Sequence, residues 1–193
     1  MRENMREKLI DLLINNNIVP ERKREIVRYG LTVAFLKIAT FVVALGISFL
    51  LKTTLFLIVF LCFFVPLRRY GGGVHSKSSR RCFIYSESLL IIVQLAYKFF
   101  LFNRYIEAAF ILLGLLSVAI WAPDESPNRP LLEKQKIKYR KYAISFGLSF
   151  AVFFVLSSIF EMRMLSVAVA EAFLLQAVLL FSSFCMKKMA CSV

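Results

Sequence analysis

Residues 68–82 read RRYGGGVHSKSSRRC and contain the chain's only histidine, His75, seven residues before Cys82. A base and a thiol in one short polar stretch are the parts of a cysteine nucleophile. The nucleophile must be a thiolate, and a free thiol titrates near pH ~8.5. Three features of the stretch favour the ionised form. His75 can serve as base or as imidazolium partner. Arg80 and Arg81 put positive charge beside the sulfur. Ser78 or Ser79 suits the N-cap of a following helix, which leaves Cys82 in its first turn, where the helix dipole favours an anion. If residues 75–82 formed one helix, His75 and Cys82 would stand ~10.5 Å apart along its axis, too far for a hydrogen-bonded pair. The chain is therefore expected to fold back between them. Gly71, Gly72 and Gly73 supply freedom for a tight turn and for close approach of a substrate backbone, and their N–H groups are candidate oxyanion donors. The bland alternative is an incidental histidine and cysteine in a polar loop. Two ligands are too few for a metal site. Cys62, Cys185 and Cys191 are scattered, with neither metal spacing nor a disulfide framework, and no cofactor is called for.

The elements that must position this stretch are apolar. Of the 193 residues, 59% are hydrophobic and 19% charged, more apolar side chain than a soluble domain of this length can bury. Apolar blocks run over 34–51, 54–67, 83–102, 105–122, 143–160 and 164–185. About 20 apolar residues cross a hydrocarbon core, so the expected fold is all-α: a polytopic membrane protein with six transmembrane helices. The second block is short, roughly 21 Å long, which lets the loop after it begin within the headgroup layer. One domain is expected over 1–193, with interfacial helices in 1–30, the six-helix bundle in 31–185 and a tail in 186–193. No cleavable signal peptide is expected.

The net charge of +13 would suggest nucleic acid on a soluble protein; here membrane topology accounts for it, and no nucleic-acid partner is expected. Lys and Arg number seven in residues 1–30, five in 68–81, six in 123–142 and two in the tail, against Lys52, Arg104 and Arg163 in the opposite connections. The positive-inside rule then puts both termini and the His75–Cys82 loop in the cytoplasm of a multi-pass cell-membrane protein.

Residues 1–15 place apolar side chains at helical spacing opposite a charged face, as in an amphipathic helix lying on the inner leaflet or capping the bundle. In residues 123–142, prolines 123, 127 and 130 forbid a helix at the start, and a basic helix from Leu131 leads into the fifth span. Its charges anchor topology, bind anionic lipid or dock an acidic partner. Of the charges within spans, Glu87 is placed to pair with Lys37, while Lys98, Glu107 and Glu171 fall toward the outer side and pair there.

The pattern Arg68-x-x-Gly-Gly-Gly-x-His75-x-x-x-x-x-x-Cys82, the six apolar blocks and the length together resemble the accessory gene regulator protein B (AgrB) family, membrane cysteine endopeptidases of Gram-positive quorum sensing. The resemblance implies that His75 and Cys82 are catalytic and that Arg68 and Gly73 support them. It implies an AgrD-type precursor peptide as substrate, cut before its acidic tail and passed through an acyl-thioester on Cys82 to a cyclic thiolactone or lactone. Arg68, Arg69, Arg80, Arg81 and the basic run at 134–141 suit that acidic tail. Membrane lipids and a second copy in a homodimer are the other expected partners. A competing reading is an exporter of a peptide or small solute, with Lys37, Glu87, Gln94, Lys98, Glu171 and Gln176 as its polar path; neither an inverted repeat nor Gly/Pro-broken spans accompany it.

Overall fold

The computed structural model describes residues 2–16, 20–73, 79–100, 102–125 and 132–191, with backbone alone at 2–6, 9, 13, 79–82, 190 and 191. Among them are seven α-helices: α1 (Arg2–Asn15), α2 (Arg24–Leu51, entered through a 3-10 turn at Glu21–Lys23), α3 (Thr54–Gly71), α4 (Ser79–Phe99), α5 (Arg104–Trp121), α6 (Glu133–Ile159) and α7 (Arg163–Cys191). The described residues contain no strand. This is an all-α polytopic membrane protein.

Helices α2, α3, α5, α6 and α7 are long and apolar enough to cross a bilayer. The third expected block, 83–102, falls on α4, a helix of 21 residues that carries Glu87, Gln94 and Lys98 within it and is not among those five. The short second block also differs from expectation. Pro66 lacks the N–H that would bond the Cys62 carbonyl, yet α3 continues through it to Gly71 and reaches 18 residues. Arg68 and Arg69 therefore lie in the helix's last turn, where cations meet the negative end of the dipole, and not in the loop.

By internal contacts the chain forms two units, Met1–Ile47 with Ser76–Leu90, and Ser48–His75 with Ile91–Val193. In the first, α1 is fastened to the start of α2 by ion pairs. Arg24 Nη2 lies 2.5 Å from Asp11 Oδ1 and Arg28 Nη2 lies 2.9 Å from Glu7 Oε1. Ile10 is fully buried while Leu12 remains exposed, so α1 has both an inward face and an apolar residue free to meet a leaflet. The expected Glu87–Lys37 ion pair is absent among the described residues.

In the second unit α7 is the central helix, packed on α5, α3 and α6. Its most apolar stretch is 67% buried, against 11% for α2. Lipid is as apolar as leucine, so such packing rests on van der Waals contact and close backbone approach. Gly114 of α5 shows this: a Cβ there would overlap the buried ring of Phe173 on α7. Aromatic contacts tie α3 to its neighbours. Phe56 stacks on Tyr97 at 3.8 Å between centroids, and Tyr70 lies among Tyr139, Tyr142 and Phe146.

Candidate active site at the glycine loop

The end of α3 is where the second unit bears on the sequence motif. Gly72 caps the helix at φ 79°, ψ −149°, and Gly73 follows at φ 123°. Both lie in the left-handed half of backbone space that a Cβ makes costly. The turn is held on all sides. The Gly72 carbonyl accepts from Arg68 Nη1 at 2.6 Å and from Gln176 Nε2 of α7 at 3.2 Å. The Gly71 carbonyl accepts from the Asp124 N–H at 2.9 Å, and the Gly72 N–H donates to the Arg68 carbonyl at 3.2 Å. Asp124 lies just past the end of α5, and its carboxylate accepts from Ser183 Oγ and Lys187 Nζ on α7.

Each glycine of the triplet makes room for a different group. A Cβ at Gly71 would stand 2.6 Å from Gln176 Nε2, one at Gly72 would stand 2.5 Å from the Asp124 carbonyl oxygen, and one at Gly73 would overlap Arg68 Nη1. The close approach expected of a substrate backbone is thus made here by the chain's own groups. The Gly72 N–H, one of the suggested oxyanion donors, is already spent on Arg68. Arg68 is itself part of the loop's frame, and Arg69 lies 5.9 Å from the centroid of the Tyr70 ring.

Cys82 is the fourth residue of α4, in its first turn. Its side chain, those of Arg80 and Arg81, and the whole of His75 and Ser78 lie outside the described residues. Cys62 and Cys185 are free thiols, and no cluster of metal ligands occurs among the described residues. Of the polar residues suggested for a solute path, Gln94 accepts from Thr53 Oγ1 at 2.9 Å and Gln176 holds the glycine loop, so both are tied into the frame. The expected outer pairing of buried acids is not seen: both carboxylate oxygens of Glu171 and Oε2 of Glu107 have no hydrogen-bond partner among the described residues.

Asp124, Gln176, Ser183 and Lys187 were not singled out for this site by sequence. Gln176 carried one signal, an amide inside an apolar span, which demands a partner; nothing local in the sequence identified the partner as the glycine loop, 104 residues away.

Residues 6–185 match the sequence model of the family described as Accessory gene regulator B. The chain belongs to this family. It is similar to the accessory gene regulator protein B of Staphylococcus aureus (strain MRSA252), 32% identical over 135 residues that cover 67% of this chain and 70% of that protein. It is similar also to the putative AgrB-like protein 1 of Clostridium perfringens (strain 13 / Type A), 29% identical over 157 residues, 80% of each chain. The accessory gene regulator protein B of Staphylococcus haemolyticus (strain JCSC1435) is 25% identical over 118 residues, and the match spans 63% of that relative's length. No solved structure matches the chain. In this accessory gene regulator B protein the whole motif from Arg68 to Cys82 lies within the matched residues.

Proposed function

We propose that this accessory gene regulator B protein is a membrane-embedded cysteine endopeptidase that removes the acidic C-terminal tail of an AgrD-type precursor peptide. The observation that carries the reading is the position of Cys82 in the first turn of α4, where unpaired backbone N–H groups and the helix dipole favour a thiolate. The framed glycine loop supports it from the other side of the motif. His75 follows Gly73 by two residues, so a turn fixed by Arg68, Gln176 and Asp124 fixes where the segment bearing the base sets out.

The chemistry follows from the two groups. His75 takes the thiol proton of Cys82, and the sulfur attacks the carbonyl carbon before the tail. The C–N bond breaks, and the imidazolium returns the proton to the departing amine. The remaining peptide stays on Cys82 as a thioester. A thiol or hydroxyl within that peptide then gives its proton to His75, attacks the thioester carbonyl and expels the Cys82 thiolate, which the imidazolium reprotonates, closing a thiolactone or lactone. Water must be kept from the thioester for ring closure to win over hydrolysis, which a site at the bilayer surface favours. Arg69, Arg80, Arg81 and the exposed Lys134, Lys138 and Lys141 near the start of α6 are cations suited to the acidic tail, and the charge bias along the chain supports a cytoplasmic position for each of these segments.

The test is cleavage of a co-expressed precursor. Cys82→Ala and His75→Ala should each reduce it by at least ~100-fold, with both variants still present in the membrane. Cleavage that persists in Cys82→Ala rejects the reading.

A further inference from the structure

At the end of the second unit opposite the glycine loop, the turns that join α2 to α3, α4 to α5 and α6 to α7 border a half-open cleft of about 400 Å³. Lys52, Lys98 and Arg163 line it, together with Thr53, Phe102 and Met164. Cations are scarce at this end: Lys52 in its turn, and Arg104 and Arg163 at the first residues of α5 and α7, are the only Lys or Arg between the apolar blocks there. Two of those three, joined by Lys98 from the last turn of α4, converge on one cleft from three different parts of the chain. Among the described residues none of the three has an ion-pair partner. The neighbouring cleft shares Arg163 but differs in its Arg104, which has Glu161 at 3.6 Å. Lys52 holds its place at φ 59°, a left-handed conformation that costs energy in any residue with a Cβ.

Three cations without a carboxylate partner among the described residues, Lys98 also lying 5.6 Å from the centroid of the Phe99 ring, stand beside an apolar wall at the ends of bilayer-length helices and match one kind of ligand. We propose that this cleft binds the phosphate of an anionic phospholipid, with Lys52, Lys98 and Arg163 around the phosphate oxygens and Phe102 and Met164 against the first carbons of an acyl chain. The Thr53 hydroxyl is not a free donor for it, since it already donates to Gln94. A phosphodiester would satisfy the cations by charge-assisted hydrogen bonds, while the apolar wall selects a lipid over a free anion. The site is separate from the peptidase chemistry and does not depend on it.

The full-length protein in neutral detergent is titrated with phosphatidylglycerol and with phosphatidylcholine, and bound lipid is counted by native mass spectrometry. The wild type should retain phosphatidylglycerol in preference. The triple variant Lys52→Gln/Lys98→Gln/Arg163→Gln should bind it roughly 100-fold more weakly, while Lys134→Gln/Lys138→Gln/Lys141→Gln, at the other end of the bundle, should keep the tight site. Should the triple variant fail to fold, Lys98→Gln and Arg163→Gln singly should each lose about fivefold. Unchanged affinity in the cleft variants, or loss confined to the Lys134/Lys138/Lys141 variant, overturns the proposal. Inorganic phosphate displacing the lipid at equal concentration would also overturn it, because the site would then take the free anion.

Discussion

A methyl group at position 73 would have to share the volume of the Arg68 guanidinium at a φ of 123°, a conformation that side chains rarely adopt. Two separate penalties therefore meet at one residue, and Gly73→Ala should lower stability by roughly 1–3 kcal/mol and depress precursor cleavage. Arg68→Ala removes the overlap but leaves the backbone penalty. The double variant Gly73→Ala/Arg68→Ala should then lose less stability than the two single losses combined, a coupling that a thermal-melt cycle reads directly. Additive losses would show that Arg68 and Gly73 do not share space. The same contacts separate framing from chemistry. Gln176→Leu deletes one of the two donors to the Gly72 carbonyl; it should cost about 1 kcal/mol and slow cleavage without abolishing it, unlike Cys82→Ala. The glycine triplet and the two arginines before it could be placed in the sequence, whereas the frame around them could not. Sequence gives the identity of Gly71, Gly72 and Gly73 but not which groups fill the space their missing side chains leave.

Helices were legible where one physical rule dominated. The apolar blocks found α2, α5, α6 and α7 because bilayer thickness sets their length, and the basic run before the fifth block did become the start of α6, now one helix over Glu133–Ile159. They failed at the end of α3, where Pro66 and two arginines signal an end that packing overrides. They also left α1 ambiguous, because its contact with α2 is made by charged pairs that no local pattern specifies. Those pairs are open to a direct test. A hydrogen bond from Arg28 holds the Glu7 carboxyl below its ordinary pKa of 4.5. A folded-state pKa below the unfolded value means the pair contributes fully above about pH 4.5 and that this contribution is lost as pH falls further. Limited proteolysis in nanodiscs should therefore cut α1 faster below pH 4.5 than at pH 7, and Glu7→Gln should raise the cutting rate at pH 7. Equal protection at both pH values would assign the docking of α1 to Ile10 and not to the ion pairs.

For the whole molecule, α7 joins membrane packing to the motif. Its Phe173 fills the gap left by Gly114 of α5, and along the same helix Gln176, Ser183 and Lys187 reach the glycine loop and Asp124. A change in the apolar interior should therefore be felt at the loop. Gly114→Val should cost roughly 1–3 kcal/mol by overpacking and should lower precursor cleavage although it touches no motif residue; full activity in a destabilised variant would uncouple the two. Exposed apolar side chains along α2, Phe35, Ile38, Phe41, Val42 and Phe49 among them, present a surface suited to lipid or to a second copy. The peptidase reading itself turns on one covalent species. Purified protein mixed with precursor should yield an adduct on Cys82 whose mass is that of the protein plus the tail-less peptide less one water, released by hydroxylamine and absent from Cys82→Ala. An adduct carried by Cys62 or Cys185, or tail removal by Cys82→Ala with no adduct at all, would contradict it.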